Sequence, residues 1–172
     1  AIIFVDITEP LGLLGEAASE LAAPMAQAAL GESYRYNQTD CAKALRKIGP
    51  SKALPVLIGG LNKQSGIHRQ VSAAFILGHM GKDGQKAVPA LRTALKDPVL
   101  KVRIEAAGAL WKITGKSDEV LPVLQNALKI PKDLFDYHDS KDRRRAAEVL
   151  AEMGPAAIPA IDDLTISLQD LY

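Results

Sequence analysis

The sequence predicts an all-α superhelix, an α-solenoid of about four helix pairs closed by a terminal helix. Three observations predict it. Alanine and leucine are abundant while aromatics make up only 5% of the chain, and small residues with high helix propensity let helices approach closely. Pro24, Pro55, Pro89, Pro122 and Pro159 recur at spacings of 31, 34, 33 and 37 residues and mark one helix type. Leu45, Leu77, Leu110 and Leu150 recur at 32, 33 and 40 and mark the other. Each leucine has Ala42, Ala74, Ala107 or Ala147 three residues before it and Ile48, Met80, Ile113 or Met153 three residues after. That spacing puts all three on one helical face. Neither helix of such a pair can bury its apolar stripe alone, and stacking supplies the missing face.

The 172 residues suit one domain or one short solenoid. Lys plus Arg number 21 against 20 for Asp plus Glu, so no large net field favours general attachment to nucleic acid or membrane. No apolar run approaches the roughly 18 residues of a membrane span. A soluble protein is expected, with the cytoplasm slightly favoured. Cys41 is the single cysteine, which excludes an intrachain disulfide and a cysteine-based zinc cage. The opening residue is Ala1, which fits either a processed chain or a piece of a longer one.

Residues 1–15 form a lead or cap without an assigned element. AIIFV is too short and lacks the basic start of a signal peptide, and no second strand candidate exists to pair with it. From residue 16 the helix pairs are expected at about 16–49, 50–81, 84–115 and 117–154, with the last helix at 155–170. Gly49 ends one helix as a C-cap and Ser51 starts the next as an N-cap. The prolines are expected in or just after the first turn, where few intrahelical bonds are lost. Between the third and fourth pairs the longer spacing implies about seven extra residues in an edge loop, 131–140. It gathers Phe135, Tyr137 and His138 as candidate contacts among Asp133, Asp136 and Asp139.

The units resemble HEAT repeats, and in particular the short PBS lyase (bilin lyase) HEAT-like variety. The residues that carry the resemblance are Pro89 to Asp97, then Val102, Arg103 and Ala106 to Leu110. It implies a HEAT-like solenoid, with Asp97 and Arg103 in structural roles that bond neighbouring repeats. Arg143 holds the arginine position of the fourth repeat, and Gln38 and Gln70 occupy it in the first and second. The resemblance says little about function, because a scaffold of this kind hosts many activities.

By the same resemblance the second helices line the concave face. Aligning the leucines places Tyr36, Asp40, Lys43 and Lys47; His68, Ser72, Phe75 and His79; Lys101, Glu105, Gly108 and Lys112; and Lys141, Arg145, Glu148 and Glu152 in its exposed columns. Trp111 stands beside them in a column of Arg46, Gly78 and Ala151, where it either packs in the cleft between repeats or anchors a partner. The candidate partner-binding set is therefore Tyr36, Lys43, Lys47, His68, Phe75, His79, Trp111, Lys112 and Arg145.

Catalytic readings are weaker. A HEAT-type di-iron hydroxylase needs His-Glu dipeptides, whereas the three histidines here precede Arg69, Met80 and Asp139. The acidic loop lacks the glycine and spacing of a calcium site. Cys41 falls in the column of Ala73, Ala106 and Ala146 and reads as a small, inert core residue. No nucleophile elbow, phosphate-cradling loop or dinucleotide fingerprint occurs. The expectation is a non-enzymatic scaffold for a protein or peptide partner, with no cofactor and no metal. The alternatives are an accessory subunit of a chromophore lyase, a nucleic-acid-binding domain using Arg143 to Arg145, and a repeat domain inside a larger protein.

Overall fold

A computed structural model of the chain describes residues 10, 13–31, 38–129 and 137–169. Those residues form helices and turns, and none of them lies in a strand. The strand-like AIIFV lead lies outside them. The α-helices are α1 (Ala22–Ala29), α2 (Gln38–Ile48), α3 (Pro50–Gly60), α4 (Ile67–His79), α5 (Val88–Ala94), α6 (Leu100–Thr114), α7 (Leu121–Leu128), α8 (Tyr137–Met153) and α9 (Ile161–Gln169). Consecutive helices pair, and the pairs stack into an all-α solenoid. The second helices α2, α4, α6 and α8 contact one another in sequence, and α4 against α6 is the most extensive of these contacts.

The repeating columns are the core. Leu45, Leu77 and Leu110 are fully buried, Leu150 nearly so, and Ile48, Met80, Ile113 and Met153 lie with them. Ala42, Ala74 and Ala107 are buried, while Ala147 is only partly covered. Cys41 sits with Ala73, Ala106 and Ala146 at zero exposure. Burial pushes its thiol up to about 12, so no appreciable thiolate forms near neutral pH.

The first helices are not single α-helices throughout. Gly15–Leu21, Gly81–Ala87 and Gly154–Ala160 are 3-10 segments, and each runs into an α-helix: α1, α5 and α9. Pro24 and Pro89 follow within the first turn of α1 and α5, and Pro122 is the second residue of α7. A proline has no N–H to give to the α ladder, so the tighter segment ends and α geometry restarts around it. Two prolines depart from the first-turn expectation. Pro55 lies inside α3, and Pro159 lies in the 3-10 segment before α9.

Two glycines fix how the pairs join. Gly115 ends α6 at φ 67°, and its N–H reaches the Trp111 carbonyl at 2.8 Å, the left-handed closure that favours glycine. Gly78 of α4 lies against α6, where a Cβ would come within 2.8 Å of the Ala109 Cα. This close approach is what lets the second helices stack so tightly.

α8 begins at Tyr137, so residues 137–140 of the expected edge loop belong to that helix. Tyr137 and His138 thus open a helix, and Phe135 lies outside the described residues, as does Tyr36. The terminal α9 is tied back to α7 by Gln125, which donates to Pro159 O at 3.1 Å and to Asp163 Oδ2 at 2.8 Å. Lys129 pairs with Asp163 at 3.2 Å.

Candidate functional site: the second-helix face

The expected bond between neighbouring repeats is present, but with different partners. Asp97 is buried, and its Oδ2 accepts from Gln70 Nε2 at 3.1 Å while its Oδ1 accepts from Val99 N at 2.9 Å. Gln70 also donates to Leu61 O. The aspartate of repeat three is therefore held by the residue at the arginine position of repeat two. Arg103 does not bond to the Asp97 carboxylate; it donates to the carbonyls of Asp97 and Pro98 at 2.8 and 2.9 Å, closing the intra-repeat turn. A neutral glutamine suffices because it can donate to a carboxylate and a carbonyl at once. Arg143 is buried.

The exposed columns divide into two zones. At the α2 end, Lys43 pairs with Asp40 at 2.9 Å on open surface, and Lys47 and His68 are exposed. Between α4 and α8 the side chains meet in one cluster. Phe75 and His79 stack with centroids 4.1 Å apart, and His79 Nδ1 is bonded to Phe75 O at 2.9 Å. Lys112 and Arg145 approach the Phe75 ring from α6 and α8, at 5.8 and 5.7 Å from its centroid. That is within cation–π range.

Both cations are also ion-paired across helices. Arg145 grips Glu105 through Nε at 2.7 Å and Nη2 at 3.0 Å, and its Nη1 reaches Glu148 at 3.2 Å. Lys112 pairs with Glu152 at 2.9 Å and touches His79 Nε2 at 3.3 Å. Burial works against the Arg145 charge, but the bonds from Glu105 and the nearby Glu148 and Glu152 outweigh it, so its pKa stands above the ordinary arginine value. His79 goes the other way. Burial lowers its pKa, the bond to Phe75 O and Glu152 oppose that, and Lys112 and Arg145 reinforce it. The net effect holds its pKa below the ordinary histidine value.

Three positions read as exposed are not. Ser72 is buried and accepts from Gln38 Nε2 at 2.7 Å. Glu105 is buried beneath Arg145. Gly108 lies against Val149, whose Cγ2 would stand 3.2 Å from a Cβ there. In each case a neighbouring helix covers the position, α2 at Ser72 and α8 at Glu105 and Gly108, an effect that a register drawn from single helices does not contain.

The structure thus brings Phe75, His79, Lys112 and Arg145 together and leaves Lys43, Lys47 and His68 apart from them. Trp111 is partly buried and packs against the core. The glutamate partners were in the aligned columns without being recognised as partners. Glu105 and Arg145 share one column and Lys112 and Glu152 another, so opposite charges at one position in successive repeats were the available signal.

Among the described residues, no group of three His, Cys, Asp or Glu side chains is placed to hold a metal ion. No described helix is long and apolar enough to cross a membrane. Residues 69–137 match the family model of HEAT repeats. The matched stretch runs from α4 to the start of α8 and contains Phe75, His79, Glu105 and Lys112. The chain is similar to HEAT repeats over that span. A search of curated proteins finds no match.

Proposed function

We propose that this protein is a non-enzymatic protein-interaction scaffold whose second helices form a concave groove for a protein or peptide partner. The observation that carries the reading is Phe75, an aromatic ring left partly exposed between two cations that are themselves held in place by glutamates from α6 and α8. A rigid aromatic flanked by fixed charges is the composition of an interface anchor. The likeness to HEAT repeats supports it, because stacked repeats build extended concave binding surfaces. The proposed contact set also takes in Lys43, Lys47, His68 and Trp111, and, from the sequence register alone, Tyr36 and the 131–140 segment with Phe135, Tyr137 and His138.

The test is a pull-down with the wild type and with the combined variant Phe75→Ala, Trp111→Phe, Lys112→Ala, with helical content followed by circular dichroism. Loss of the captured partner with native helicity is expected; unchanged capture counts against the groove. The finer resemblance to the PBS lyase HEAT-like variety supports an alternative, an accessory role in chromophore attachment. A spectral titration with a linear tetrapyrrole that shows no shift removes that alternative. A nucleic-acid role fails if neither DNA nor RNA binds at low ionic strength.

A further inference from the structure

A second surface lies away from the Phe75 cluster, at the joint between the start and the end of repeat three. The 3-10 segment Gly81–Ala87, the first turns of α5 and the end of α6 enclose an open groove of about 570 Å³. Val88 and Ile113, both nearly buried, provide its apolar floor, and Lys82, Arg92 and Lys116 stand on its rim. The lining contains three cations and no carboxylate. Glu119 lies just outside, where it accepts from Arg92 Nε at 2.8 Å and Nη2 at 3.1 Å.

The charge balance separates this groove from the second-helix face. On the second-helix face, Lys112 and Arg145 are matched by Glu105, Glu148 and Glu152. The chain as a whole carries a formal charge of only +1. Of the three lining cations Arg92 is ion-paired, to Glu119, and that bidentate clamp holds its guanidinium in a fixed place instead of removing it from the rim. The groove's size is within the range of specific ligand sites, and it holds more than one side chain.

We propose that this groove docks an acidic peptide segment, seating an aliphatic side chain on Val88 and Ile113 and its flanking carboxylates on Lys82, Lys116 and Arg92. A nucleic-acid strand fits less well, because the lining has no aromatic platform for bases and the cations ring a pit instead of tracking a backbone. Cations around an apolar floor select against basic or purely polar segments, and exposed charges of this kind give binding that salt weakens. The inference stands whether or not the second-helix groove binds a partner.

The test uses amide chemical-shift mapping of the full chain with three short synthetic peptides: one alternating glutamate with leucine, one alternating glutamate with serine, and one alternating lysine with leucine. The glutamate–leucine peptide is expected to shift amides in 82–92 and 113–116, with affinity falling as salt rises. The other two should bind at least about tenfold more weakly. The double variant Lys82→Glu, Lys116→Glu changes only exposed side chains, so its fold should persist; it should lose about tenfold in affinity, while Phe75→Ala should lose nothing. The proposal is overturned by shifts confined elsewhere, by equal binding of the lysine–leucine peptide, by stronger binding of polyuridylate, by an unaffected double variant, or by no shifts at all.

Discussion

At the scale of single residues, Arg145 and Glu105 depend on each other most. Glu105 is 6% exposed, and two of the Arg145 nitrogens are bonded to its carboxylate. Removing the arginine strands a buried carboxylate, whereas removing both removes the need for pairing. Arg145→Ala should cost about 2–3 kcal/mol in urea unfolding, and Arg145→Met with Glu105→Met should cost clearly less than the sum of the singles. An additive double variant would show that the pair contributes nothing beyond packing. His79 makes a pH prediction. Its folded pKa lies below the ordinary 6.5, so in the window beneath 6.5 the unfolded chain binds the extra proton. Stability should therefore fall as pH drops from 6.5 toward the folded value, and His79→Gln should remove that part of the slope. Equal slopes for wild type and variant would show that His79 does not titrate against folding.

At the scale of elements, the α4–α6 contact governs the geometry of the Phe75 cluster, because Phe75 and His79 come from one helix and Lys112 from the other. Gly78 permits that contact. A methyl group there meets the backbone of Ala109 at 2.8 Å, and backbone cannot rotate away as a side chain can. Gly78→Ala should destabilise the protein by about 1–3 kcal/mol in thermal unfolding, despite the better helix propensity of alanine. If propensity dominated instead, the variant would be more stable, which would mean that the helices separate without cost. The sequence marked Gly78 only as an odd member of the Trp111 column, since small size at a helix crossing is a property of two elements together.

At the scale of the whole molecule, the stack behaves as a line of neighbours. α6 lies between α4 and α8 and also meets α5 and α7, so its amides are the most enclosed. In the terminal unit, Ile158, Ile161 and Ile166 are more than half exposed. Hydrogen exchange should therefore be slowest in α6, at rates set by global unfolding, and faster in α1 and α9 through partial opening. Uniform protection from α1 to α9 would instead indicate one cooperative unit.

The sequence alone determined the all-α repeat, the buried columns through Leu45, Leu77, Leu110 and Leu150, and the inert setting of Cys41. These follow from local periodicity: a stripe repeated at constant spacing must be buried by its neighbouring copies, whatever the details of the stack. Only the tertiary structure decided the 3-10 starts of the first helices and the burial of Ser72, Glu105 and Gly108. It also passed the Asp97 carboxylate to Gln70 instead of Arg103, and it joined Phe75, His79, Lys112 and Arg145 through their glutamates. Those outcomes depend on the offset between successive helices. A shift of a few ångströms there changes which charges meet and which residues are covered, while leaving the periodicity of each helix untouched.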